Sequence, residues 1–197
     1  DFEEACRFAP KDARYRHAVG LARQQSDGEE EMALEQFELA LELDPNHIPS
    51  LYHRGLMLHR LHRLDEAVDV FSAVLEHAEN DRLVYESRGL VYQDLRFHVK
   101  AVDDFTTALK IDQHIGENHY HRGESLLRLG DLKNAILDFK AAVEETGLYK
   151  AGAWTVKNLT PAWCSVKSLF GGSCPTPKTK PEVPYDISLK QKDMMNW

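Results

Sequence analysis

A chain of 197 residues, 43% hydrophobic and 28% charged, is long enough to bury a core, and its net charge of −8 disfavours nucleic acid and anionic membrane surfaces as partners. No apolar run reaches the roughly 18 residues that a membrane-spanning helix needs, so no span is predicted. Cys6, Cys164 and Cys174 are an odd number with no CxxC pair, which argues against a disulfide framework and suits a reducing compartment such as the cytoplasm.

Phe2, Ala5, Cys6 and Ala9 share one helical stripe until Pro10 stops it, so residues 1–12 read as the end of an earlier helix, with further units expected upstream. The first ten residues have neither a basic start nor an apolar core, so no secretory leader is expected. Helices are predicted at 13–25 and 30–43, divided by the turn chemistry of Ser26-Asp27-Gly28 and closed by Asp44-Pro45-Asn46. Six more follow at 48–61, 64–77, 82–95, 98–111, 116–129 and 132–145. Spacing decides these assignments: Leu64, Ala67, Val68, Phe71, Val74 and Leu75 form one stripe, with Asp65, Glu66, Asp69 and Glu76 toward water. In Gly130-Asp131 the glycine suits the left-handed position after one helix and the aspartate caps the next.

Across these helices the same residue types return every 34 positions. Ala33, Ala67, Ala101 and Ala135 form one ladder, Phe37, Phe71, Phe105 and Phe139 a second, and Gly55, Gly89 and Gly123 a third. A fixed period of this length marks a stack of supersecondary units, here helix pairs at 13–47, 48–81, 82–115 and 116–147. Two helices crossing at about 8–10 Å cannot both carry large side chains at the contact, which is the reason for the glycine and alanine rungs. Gly20 lies one place early, so the 26–29 turn is expected to hold one extra residue.

The pattern resembles the tetratricopeptide repeat. Ala33, Phe37, Ala40 and Pro45 complete the later half of that motif in the first unit; Leu51, Gly55, Ala67 and Phe71 carry it in the second, with Val74 and Glu79 as departures. Tyr85, Gly89, Ala101, Phe105 and Ala108 carry it in the third, and His119, Gly123, Ala135, Phe139 and Ala142 in the fourth. The resemblance implies an all-α, right-handed superhelical solenoid of helix-turn-helix repeats that acts as a protein-interaction scaffold or adaptor, and as no enzyme.

After Gly147 the register fails, yet Trp154, Leu159, Trp163, Val166, Leu169 and Phe170 are too apolar for a free tail. Residues 148–172 are therefore expected to form degenerate helices that cap the last repeat, as a solenoid end requires. Residues 173–184 carry four prolines and read as an extended linker, after which Ile187, Leu189, Met194, Met195 and Trp197 suggest a docking tail. From 150 onward seven lysines face Glu182, Asp186 and Asp193, so this end carries +4 and the remainder −12. The acidic remainder suits a basic peptide, whether from a partner protein or from its own tail in cis or in a homo-oligomer.

In the resembled family the first helix of each repeat lines the concave face. By that resemblance the exposed partner-binding positions here are Tyr52, His53, Leu56, His59 and Arg60, then Glu86, Leu90 and Asp94, then Tyr120, His121, Glu124 and Arg128. Tyr52-His53-Arg54-Gly55 recurs as Tyr120-His121-Arg122-Gly123, and tyrosine and arginine make good anchors because each covers a large area with few frozen torsions. Family members that clamp a chaperone C-terminus use lysine and asparagine, where this chain has Tyr52, Leu56, Ser87, Glu117 and His121, so that use is not expected. Arg54, Arg88 and Arg122 precede the glycines, and pairing of Arg88 and Arg122 with Asp104 and Asp138 is expected, since a half-buried guanidinium left alone is costly. The ten histidines are expected on the surface or in the groove. His59 and His62 share a face but lack further converging ligands, so neither metal nor cofactor is expected, and no catalytic motif is present. Alternatives to the scaffold are the recruiting arm of a larger enzyme and a self-assembly module; a cytoplasmic setting, with cytoskeletal or ciliary assembly among the options, completes the reading.

Overall fold

The computed structural model describes residues 12–26 and 28–145. These residues form eight helices: α1 Ala13–Gln24, α2 Glu30–Leu43, α3 Ile48–Arg60, α4 Leu64–His77, α5 Arg82–Asp94, α6 His98–Ile111, α7 Gly116–Arg128 and α8 Leu132–Glu145. All eight begin where the spacing predicts. The odd-numbered helices end one residue earlier, because Gln25, Leu61, Leu95 and Leu129 are the C-caps at which the chain leaves the helix. The expected preceding helix, the capping helices at 148–172, and Ile187, Leu189, Met194, Met195 and Trp197 lie outside the described residues.

The caps explain why the chain breaks where it does. Asp12 and Asp81 accept hydrogen bonds from the backbone N–H of Arg14 and Leu83 and so start α1 and α5. Three of the turns between paired helices share one closing geometry. His62, Arg96 and Gly130, each 34 residues apart, have φ of 57°, 62° and 83°. The residue after each bonds back five positions, Arg63 N to Leu58 O at 2.9 Å, Phe97 N to Tyr92 O at 2.8 Å and Asp131 N to Leu126 O at 2.9 Å.

Only the last of these turns carries the glycine that a positive φ favours. His62 and Arg96 are both exposed, so replacing them loses little packing. His62→Gly and Arg96→Gly are each expected to stabilise the fold by about 0.5–1 kcal/mol, because the strain of a left-handed β-carbon exceeds the added freedom of the unfolded chain. Urea titration checks this, and a lowered midpoint in either variant would contradict it.

Each helix pairs with its chain neighbour as an antiparallel hairpin, each second helix packs on the first helix of the next hairpin, and successive first helices α1, α3, α5 and α7 also touch. The ladders read from the sequence sit at these contacts. Ala33, Ala67, Ala101 and Ala135 and the rings of Phe37, Phe71 and Phe105 have no exposed surface, and Phe139 is 3% exposed. A β-carbon added at Gly55 would lie 2.7 Å from the Phe71 ring, and one at Gly89 or Gly123 would lie 3.0 Å from Phe105 or Phe139. Gly20 faces Phe37 in the same way, and the extra residue is absorbed by an earlier end to α1 and a longer turn before α2.

Candidate functional site

The first helices α1, α3, α5 and α7 form a row, and the side chains along that row are the candidate site. Their orientation is set by arginines at the junction of three helices. Arg88 of α5 donates two bonds of 2.8 Å to Asp104 of α6 and one of 3.0 Å to Ser72 of α4. Arg122 of α7 repeats this one unit on, with two bonds of 2.7 Å to Asp138 of α8 and one of 3.2 Å to Thr106 of α6. These are the Arg–Asp pairs that the sequence spacing predicts. At the corresponding place after Arg54 stands Val70, so Arg54 reaches back to Glu38 of α2 at 3.3 Å. The guanidinium of Arg88 also lies over the rings of Tyr85 and Tyr92, and the bonded Asp104 holds its proton affinity above the ordinary arginine value.

Several residues expected to be exposed are instead turned inward. His53 is 5% exposed; its ring stacks on Phe37 at 5.4 Å and its Nδ1 lies 2.9 Å from Gln24 Oε1 of α1. Glu86 is 6% exposed and is bonded by Arg82 one turn earlier. The expectation that the histidines lie on the surface or in the groove fails at His53. A first helix inside the row is covered by the preceding second helix, by its own partner and by a first helix on either side, so its open strip is narrower than for an isolated hairpin.

Others join one first helix to the next. Tyr52 Oη meets Ser87 Oγ at 3.3 Å, and burial raises the Tyr52 phenol to about 12. His59 Nε2 and Asp94 Oδ2 are 2.7 Å apart, and Arg60 donates to Glu30 at 2.8 Å and to the carbonyl of Gln24 at 3.1 Å. Gln93 of α5 donates to His121 O and to Ser125 Oγ of α7, both at 2.8 Å. His121 stacks on Phe105 with ring centroids 5.7 Å apart, and Tyr120 is tilted against Phe139 at 5.8 Å. Burial, with Glu124 nearby, raises the Tyr120 phenol to about 12. Of the twelve residues expected to form the site, Arg128 and Asp94 are exposed, His53 and Glu86 are buried, and the other eight, Leu56, Leu90 and Glu124 among them, are half-buried.

Two features escaped the sequence reading. Asn118 has no exposed surface and neither side-chain polar atom has a protein partner, whereas Val84 occupies its register one repeat earlier. His47 and His53 gather around the ring of His17, and His17 and His47 share Ser50, although the three histidines lie on two helices and a turn. The one signal in the sequence was for the cluster: His17 and Ser50 are 33 apart, close to the separation at which neighbouring first helices meet. Among the described residues no three His, Cys, Asp or Glu side chains are grouped to hold a metal, and no helix is long and apolar enough to cross a membrane.

The sequence pattern of the family described as tetratricopeptide repeat matches residues 13–47 and 116–146. Human tetratricopeptide repeat protein 13 is 28% identical over 115 residues, which are 58% of this chain and 13% of that protein, so the chain spans about an eighth of the curated relative. Among solved structures, a MamA RS-1 double mutant aligns with a TM-score of 0.71 and 25% identity, covering 76% of this chain and 84% of that one. A MamA segment from Desulfovibrio magneticus RS-1 aligns with a TM-score of 0.70 and 26% identity, covering 74% and 81%.

Proposed function

This chain is a tetratricopeptide-repeat protein, and from that premise we propose that it is a non-catalytic scaffold that holds a segment of a partner protein along the row of first helices, in a cytoplasmic setting. The observation that carries the proposal is the fixing of that row. Hydrogen bonds run from α1 to α3 through Gln24, from α3 to α5 through Tyr52 and His59, and from α5 to α7 through Gln93. A surface locked in this way before binding loses little conformational freedom when a segment lies on it.

Leu56 and Leu90, with Glu124 at the same register two helices on from Leu56, mark the strip left for a partner. Apolar contact at the two leucines and ionic contact at Glu124 and Arg128 suit an extended segment with apolar and charged positions in turn. The body charge of −12 favours a segment with basic residues. Tyr52 is a poor probe of this surface, since its truncation also breaks the α3–α5 joint.

The test compares proteins captured by the wild type, by Leu56→Gln with Leu90→Gln, and by Arg128→Glu, with crosslinks mapped on each. Loss of an interface anchor costs about 2 kcal/mol or more, so recovery of the true partner is expected to fall roughly 30-fold in the leucine variant. Circular dichroism must remain that of the wild type. Undiminished capture by both folded variants, or crosslinks confined to the second helices, would refute the proposal.

A further inference from the structure

The joint between the first and second hairpins is the one place among the described residues where three histidine rings meet. The ring of His17 on α1 lies 5.3 Å from that of His47 and 5.2 Å from that of His53 on α3. Nδ1 of His17 and Nδ1 of His47 both reach Ser50 Oγ, at 3.2 and 2.8 Å. A serine hydroxyl has one proton, so it satisfies two ring nitrogens only when it donates to one and accepts from the other. That arrangement needs at least one ring neutral, and a second charge at this separation repels the first.

We propose that this joint is an acid-released hinge: protonation of His17 and His53 frees α1 and α2 from α3 while the later hairpins stay packed. His53 is the pivot, because it stacks on Phe37 of α2 and bonds Gln24 of α1 with the same ring. Of the charged groups that face the cluster, α1 and its cap contribute Asp12 and Arg14, and the turn before α3 contributes Asp44; their fields act on His47 and partly cancel. From α5, Arg82 and Glu86 are bonded to each other and act on Tyr52. None of them supplies a carboxylate contact to His17 or His53 in the way that Asp138 does to His119 at 3.1 Å.

The direction follows from burial. Desolvation is the largest influence on both rings and holds His53 at about 3 and His17 at about 4, below the ordinary 6.5. Above pH 6.5 the closed and open states are both neutral there, and the joint keeps its full strength. As pH falls from 6.5 toward 4, the open state takes up protons that the closed state excludes, so the opening constant rises by about tenfold per pH unit for each histidine. The later α5–α7 joint supplies an internal reference. His121 stands at the register of His53, but Glu86 and Ile115 occupy those of His17 and His47.

Hydrogen exchange of the full chain at pH 7.5 and 5.5, corrected for the intrinsic rate, tests the hinge. Protection in α1 and α2 is expected to fall roughly 100-fold over this interval, against less than about tenfold in α7 and α8. Unchanged protection in α1 and α2, or a loss shared equally by α7 and α8, would overturn the proposal. In His17→Gln with His53→Gln the difference between the two ends is expected to vanish, and its persistence would equally overturn it. If that variant is unfolded at pH 7.5, His17→Gln alone is expected to reduce the fall to about tenfold, and an undiminished 100-fold fall would count against the hinge.

Discussion

Phe71→Ala is expected to destabilise the fold by about 3–5 kcal/mol, the range for removing a fully buried aromatic ring and leaving a cavity. Phe71 has no exposed surface, and its ring fills the place that a β-carbon on Gly55 would otherwise approach, at 2.7 Å. Tyr52 leans on the same ring at 6.0 Å, so the phenylalanine supports the helix pair α3–α4 and the side chain that bonds α5. Met57, Leu58 and Val74 of the same core are already fully buried, so a side chain that shifts into the void leaves its own packing behind. In a stacked array each hairpin is held by its neighbours, so weakening the second one also divides the array. Urea unfolding should show a lower midpoint and a broader transition. A loss below about 1 kcal/mol would mean that the ring is not the wedge described. Gly55→Ala is expected to destabilise as well, and combining it with Phe71→Leu should cost less than the sum of the two single changes, because the smaller side chain yields the space that the methyl takes.

The same pair of residues shows how far the fold was legible in the sequence. A 34-residue recurrence of small and aromatic side chains is a packing requirement written once per hairpin, so the eight helix starts and the Arg88–Asp104 and Arg122–Asp138 pairs were within reach. The candidate site was less legible. Whether His53 or Glu86 points to water depends on what the neighbouring first helix presents, and that helix is about 35 residues away in the chain. Tyr52 with Ser87 and His59 with Asp94 are 35 apart, while His53 reaches Gln24 across 29. Periodicity along one helix says which face is apolar, but the first helices carry polar residues on the face they turn to each other. Polar side chains that zip two helices and polar side chains that await a partner look alike until the neighbours are placed. The histidine cluster was hidden for a further reason: the extra residue in the first turn shifts His17 out of the ladder that would have aligned it with Tyr52 and Glu86.

Asp104→Ala is expected to cost about 2–4 kcal/mol, because it leaves the Arg88 guanidinium half-buried with its two shortest bonds removed. The Asp104 side chain is 7% exposed and that of Arg88 is 18%, and the pair is held at 2.8 Å through both carboxylate oxygens. Partial access of Arg88 to water keeps the loss below that of a fully enclosed pair. The chain contains its own control. Arg54 occupies the register of Arg88, but its partner is Glu38 at 3.3 Å, with side chains 30% and 45% exposed. Glu38→Ala is therefore expected to cost less than about 1 kcal/mol. The pattern of variants also separates pairing from packing. Arg88→Met with Asp104→Leu removes both charges while keeping volume, and should be far less harmful than Asp104→Ala alone, since the penalty belongs to the stranded cation. Equal losses for Asp104→Ala and Glu38→Ala in matched urea titrations would show that the three-helix junction does not hold its arginine by charge. A double variant worse than either single change would show that the guanidinium acts through its packing on Tyr85 and Tyr92, which lie 5.7 and 5.8 Å from it.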